Sequence, residues 1–145
     1  MPPSEIVSVR LQLRRYAMER DRWIGALCRR LGASRSDYDA LEALDEHGSM
    51  TAGELASLLS LTSGSVTALV GRLEQLGWAT RTNHPDDRRK VVIALTQEAW
   101  RLGQEELAPY LSAVDAATRR LSAADRRIVR GFLDDLTASV VAAGD

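Results

Sequence analysis

The sequence predicts a mainly α-helical chain that carries one small β-hairpin. Three observations predict it. Apolar residues recur at three- and four-residue steps over much of the 145-residue chain, as amphipathic helices require. Hydroxyl-bearing residues open these runs and glycines close them, in the order that helix caps demand. Only after Gly77 does the pattern turn extended, with β-prone runs on either side of a turn-rich segment.

Ile6, Val9, Leu13, Tyr16, Ile24, Leu27 and Leu31 mark one long helix over 4–31 that ends at Gly32. Ser36-x-x-Asp39 reads as a capping box for a second helix, with Tyr38, Leu41 and Leu44 as its apolar stripe and His47-Gly48 as its stop. Thr51-x-x-Glu54 is a stronger box and opens a short helix with Leu55, Leu58 and Leu59. Thr62 or Ser63 caps a fourth helix that runs to about Leu76, with Gly77 as its C-cap. Trp78–Thr82 and Lys90–Leu95 then form a hairpin around Asn83–Arg89, and Trp78 is expected to pack beneath it. Thr96 caps a helix through Arg120, interrupted or bent near Pro109. Ser122-x-x-Asp125 opens the last helix, which carries Ile128, Phe132, Leu136 and Val140. The division is therefore a single domain over 1–145. It has terminal helices over 4–31 and 122–143, a helix-turn-helix with hairpin over 36–96, and a connecting helix over 97–120.

At 45% hydrophobic and 27% charged, the chain belongs with globular proteins. Cys28 has no second cysteine to pair with, and with His47 and His84 it makes too small a set for a structural zinc, so neither a metal nor another cofactor is expected. Arginines follow the first residues where a secretion signal would carry an apolar run, and no stretch approaches the ~18 apolar residues of a membrane span. The expected address is a reducing cytoplasm without a membrane partner. No nucleophile–base pair or phosphate-cradling glycine loop can be assembled, so an enzyme is the least supported class.

Net charge is −1, which taken whole speaks against a nucleic-acid partner. Its distribution speaks otherwise. Residues 1–35 carry eight arginines against three acids, 36–60 carry six acids and no Lys or Arg, and 61–95 return to an excess of basic residues. All the basic residues but Lys90 are arginine, whose planar fork suits phosphates and base edges.

On a helical wheel Val66, Leu69, Val70, Leu73 and Leu76 share an arc of about 120°, which must be the buried side of the fourth helix. The opposite arc holds Gly64, Ala68, Gly71 and Gln75, flanked by Ser63, Ser65, Thr67, Arg72 and Glu74. A glycine in mid-helix costs about 1 kcal/mol relative to alanine, so Gly71 implies a surface that something approaches closely. A DNA major groove fits: it admits a helix, hydroxyls bond bases or phosphates, and the Ala68 methyl meets a thymine methyl. At the hairpin tip Arg88, Arg89 and Lys90 suit phosphates or a minor groove, with Asp87 placed to brace Arg89. Helix-turn-helix and hairpin together form a winged helix.

These residues resemble the MarR family of bacterial winged-helix transcription regulators. The resemblance is densest over 51–96: Thr51-Ala-Gly-Glu-Leu-Ala56, then Leu61 through Gly77 as the recognition helix, then Pro85-Asp-Asp-Arg-Arg89 followed by Val91-Val-Ile-Ala-Leu-Thr96 as the wing. It implies that Asp87 orients Arg89 into the minor groove, that Arg72 contacts phosphate, and that Ser63, Ser65 and Thr67 touch DNA. Ala68 stands where the family often has arginine and Gly71 where it often has aspartate or asparagine, so groove shape is expected to carry much of the specificity. The resemblance further implies a homodimer built on the first and last helices, double-stranded DNA with a pseudo-palindromic operator as partner, and repression relieved by a small aromatic or apolar effector. Tyr16, Trp23, Tyr38 and Trp100 are the candidate effector-site residues; buried core or interface aromatics are the alternative for each. Two other readings stay open. One is a winged-helix protein-interaction module without DNA binding, and the other is a redox-sensing regulator built on Cys28, for which a buried structural thiol is the competing explanation.

Overall fold

The computed structural model describes residues 4–144. Six helices and one hairpin follow in order: α1 Glu5–Leu31, α2 Arg35–His47, α3 Ala52–Leu58, α4 Ser63–Gln75, β1 Ala79–Asn83, β2 Val91–Leu95, α5 Gln97–Arg119 and α6 Ala123–Gly144. The mainly α class with a two-stranded antiparallel wing is the one the sequence predicts. The chain falls into two compact units, one up to Leu102 and one from Gly103 onward.

In the first unit the core collects apolar residues from α2, α3, α4 and the hairpin: Leu44, Leu55, Val66, Leu69, Val70, Leu73, Trp78 and Ile93 are all buried. Each fully buried aliphatic side chain contributes about 1.5–3 kcal/mol, which fixes α4 by the face that the wheel assigned to the interior. Trp78 belongs to this cluster, so the hairpin does rest on it. Two leucines differ from the expected pattern. Leu76 is 41% exposed because the helix has already ended at Gln75, and Leu58 is exposed at the last residue of α3.

Local hydrogen bonds set the helix boundaries. Thr51 and Glu54 form the anticipated capping box on α3, and Thr62 caps α4. The box on α2 is not Ser36 with Asp39 but Ser34 with Asp37. The chain leaves the left-handed turn at Gly32 and is still extended at Ser34, so Ser34 is the residue whose side chain can turn back onto free N–H groups; Ser36 is already inside the first turn. Asp39 instead accepts from Arg35 at 2.9 Å.

Between α3 and α4 the chain bends by 108°. Ser60 makes that corner by adopting φ 54°, the left-handed region that side chains other than glycine rarely enter. The Leu61 N–H then returns to the Ala56 carbonyl at 2.8 Å.

The hairpin pairs Ala79 with Leu95 through Asn83 with Val91. Outside it, Met50 and Ile93 form an isolated bridge. At its base the Thr96 hydroxyl donates to the Gly77 carbonyl at 2.7 Å and accepts the N–H of Ala99, capping α5 as expected. α5 is not interrupted at Pro109. One proline removes a single backbone donor, and the flanking turns carry the helix past it.

In the second unit, Ser122 accepts the N–H of Asp125 and so opens α6. No residue of α6 is buried, and Ile128, Val129, Phe132, Leu133, Val140 and Val141 are all exposed. In the first unit the early turns of α1 show the same condition at Ile6, Val9, Leu11 and Tyr16, whereas Ile24, Leu27 and Cys28 are buried.

Candidate nucleic-acid interface

Because Val66, Leu69, Val70 and Leu73 hold α4 to the core, its opposite face is committed outward. Ser63, Gly64, Ser65, Thr67, Ala68 and Gln75 are exposed, and Gly71 is half-buried. A Cβ built at Gly64 or Gly71 would meet no atom within 4 Å, so neither glycine is needed for packing inside the chain. The hydroxyls are already partly engaged. Thr62 donates to the Ser65 hydroxyl at 2.9 Å, and Thr67 donates to the Ser63 carbonyl at 2.8 Å. Thr67 therefore presents its methyl and its lone pairs outward, while the Ser65 proton stays available.

The wing tip is shaped by its own polar groups. The His84 N–H donates to the Lys90 carbonyl and the Lys90 N–H to the Asp87 carbonyl, both at 2.9 Å. The Asp86 N–H donates to Nδ1 of His84 at 3.1 Å. One oxygen of Asp87 accepts from both the backbone N–H of Arg89 at 3.1 Å and its Nε at 3.3 Å. The side chain of Arg89 is 91% exposed, so the brace fixes its direction without covering its charge. Arg88 and Lys90 are exposed beside it. At the start of α3, Glu54 is held below the ordinary carboxylate range, first by the Thr51 N–H and then by the Thr51 hydroxyl, with smaller contributions from Lys90 and His84 of the wing. Arg81 on β1 pairs with Glu74 on α4 and ties wing to recognition helix.

Arg72 is held by a buried carboxylate of α2. Its Nε and Nη2 both donate to one oxygen of Asp37, at 3.2 and 2.8 Å. Asp37 is only 3% exposed, and its other oxygen accepts the Ser34 N–H at 2.9 Å. Burial pushes this carboxyl up, but the Ser34 N–H, the Arg72 guanidinium and the Ser34 hydroxyl together outweigh burial and hold it below the usual range. Sequence reading passed over Asp37 as a site residue. Its signal was the Ser34-x-x-Asp37 spacing, hidden by the neighbouring Ser36-x-x-Asp39.

The acidic segment 36–60 does not stand as a bare negative surface. Glu42 on α2 pairs with Arg20 on α1 at 2.6 Å, and Arg35 bridges Asp21 and Asp39. Tyr38 donates to Glu42 at 3.2 Å, and burial together with that carboxylate pushes its phenol up to about 12. Of the four candidate effector residues, Tyr16 and Trp100 are more than half exposed, while Trp23 and Tyr38 are partly buried. Cys28 is buried, and burial pushes its thiol up, against the lowering effect of Arg35.

A sequence profile described as the MarR family matches residues 33–91, the stretch from before α2 to the return of the wing. The HTH-type transcriptional regulator MT0903.1 of Mycobacterium tuberculosis is 33% identical over 101 residues, covering 63% of this chain and 71% of that protein. The chain belongs to the MarR family. The uncharacterized HTH-type transcriptional regulator YcgE of Bacillus subtilis is 48% identical over 68 residues, 47% of this chain and 44% of that protein, so the match spans less than half of that relative's length. A MarR family protein from Bacillus stearothermophilus has the same fold at TM-score 0.74 and 20% identity, with 97% of this chain and 99% of that one covered. Both sequence relatives are named as HTH-type transcriptional regulators, and most of the winged helix of this MarR chain lies inside the matched residues 33–91.

Proposed function

We propose that this MarR protein is a homodimeric repressor that binds a pseudo-palindromic operator and releases it when a small aromatic or apolar effector binds. The observation that carries the reading is the pairing of an outward α4 face, small enough to enter a major groove, with an Asp87-braced and solvent-exposed Arg89 on the wing. In this reading Ser63, Ser65, Thr67 and Ala68 line the groove, Arg72 takes a phosphate, and Arg88, Arg89 and Lys90 grip the flanking backbone and minor groove. With no arginine at position 68, bidentate guanine recognition worth roughly 1–3 kcal/mol is not available there, so groove width and bendability carry much of the choice of site.

In this reading the exposed apolar residues of α1 and α6 are what a second copy covers. A dimer would place two recognition helices about one turn, ~34 Å, apart and combine two modest affinities. Tyr16, Trp23, Tyr38 and Trp100 supply aromatic surface for the effector. The buried Cys28 with its raised thiol disfavours the redox-sensor alternative.

Footprinting of the purified protein on the DNA flanking its own gene, with and without a panel of aromatic acids, tests the reading. A protected two-fold-related site that one compound releases is the expected outcome. Arg89→Ala is expected to remove the protection at salt concentrations where the natural chain binds. Absence of binding to any duplex would favour a protein-interaction module.

A further inference from the structure

We propose that Asp37, which lies at the start of α2 and outside the face turned to DNA, is a positioning residue that aims Arg72 at a backbone phosphate. This inference rests on the reading above, in which Arg72 meets phosphate.

The geometry divides the guanidinium into two edges. Nε and Nη2 are both spent on one oxygen of Asp37, which fixes the plane and direction of the group. The Arg72 side chain remains 48% exposed although Asp37 is almost completely buried, and the bonds to Asp37 leave Nη1 and one Nη2 proton uncommitted to that carboxylate. Asp37 in turn does not depend on Arg72 for its own place. Its second oxygen accepts from the Ser34 N–H, and its backbone N–H donates to the Ser34 hydroxyl at 3.1 Å, so the helix cap anchors the carboxylate before any contact with α4. Arginine suits such a role because a rigid fork can serve a carboxylate on one edge and a phosphate on the other; a lysine ammonium has a single centre and no fixed plane. A fixed donor also loses less rotamer entropy when the phosphate arrives.

The salt dependence of DNA binding separates positioning from mere support. Each phosphate contact contributes about 0.9 to the slope of log affinity against log salt concentration. A labelled duplex, selected from a random-sequence pool by the natural chain, is titrated with the natural protein, Arg72→Ala, Asp37→Asn and the double variant over about 50–200 mM salt. The expected result is a slope reduced by about 0.9 per protomer in Arg72→Ala, by a comparable amount in Asp37→Asn, and by no more in the double variant. Should Asp37→Asn lower the melting temperature yet keep the full slope, Asp37 is a structural group only and the inference is overturned. Arg72→Lys covers the case in which Asp37→Asn does not fold: it retains the charge but not the two-edged grip, and a natural slope in that variant also overturns the inference. If the natural chain selects no duplex, the DNA-binding reading fails, and this inference fails with it. If Arg72→Ala alone lowers the slope, the reading stands and only the role of Asp37 falls.

Discussion

Met50 and Ile93 exchange backbone hydrogen bonds in both directions, the Met50 N–H to the Ile93 carbonyl at 3.0 Å and the Ile93 N–H to the Met50 carbonyl at 2.7 Å. Two residues 43 positions apart in the sequence thereby add a third, one-residue strand to the wing, on the side away from β1. An isolated two-stranded hairpin is marginal in water, so this bridge and the buried Ile93 side chain add to Trp78 and the Arg81–Glu74 pair in holding the wing to the rest of the first unit.

Met50→Pro removes one of the two donors and is expected to cost at least about 0.5–1.5 kcal/mol. The loss should be local. Amide hydrogen exchange is expected to speed up through β1 and β2 while the buried turn of α1 around Ile24 and Leu27 keeps its protection. Equal acceleration in both places would show that the bridge is not a local anchor of the wing.

The Asp37 carboxylate predicts a particular acid response. Its folded-state pKa is depressed, so its contribution to stability is complete above the unfolded value of about 3.9 and is lost as pH falls through the folded value. The melting temperature of the natural chain should therefore be flat near neutral pH and fall steeply once the pH drops below about 4. Asp37→Asn should begin several degrees lower at neutral pH, for a loss of about 1–3 kcal/mol, and show a shallower acid decline. Parallel curves for the two proteins would rule out this group as the source.

Gly71 separates the needs of the fold from those of the groove. Open space surrounds its missing Cβ and its φ is not positive, so Gly71→Ala should stabilise the chain by up to about 1 kcal/mol through helix propensity. In the proposed reading the same methyl stands on the face that DNA approaches. Thermal unfolding should improve while duplex affinity falls; improvement in both would mean that the groove does not come close to this position.

For Cys28, alkylation by iodoacetamide at neutral pH gives a direct reading. Burial and a raised thiol predict modification slower by on the order of tenfold or more in the folded chain than in the denatured one. Rapid modification of the folded protein would return the redox-sensor alternative to contention.

What the sequence determined by itself is local. The caps at Thr51 and Thr62, the helical period of Val66, Leu69, Val70 and Leu73, the stop at Gly77 and the Asp87–Arg89 brace all involve residues within a few positions of one another. Their energies are set by backbone geometry that any correct local fold supplies, so propensity and spacing suffice to read them. Tertiary structure decided the remainder. That Arg72 would face Asp37 across 35 residues, that Met50 would extend the wing, and that Leu58 and Leu76 would stay outside the core depend on how α2, α3, α4 and the hairpin pack together. Of two capping boxes spaced alike in the sequence, the local turn after Gly32 formed the one at Ser34, and tertiary packing then brought the Arg72 guanidinium of another helix to its buried carboxylate. Burying a charge is costly unless a partner reaches it, and that partner is known only once the chain has closed upon itself.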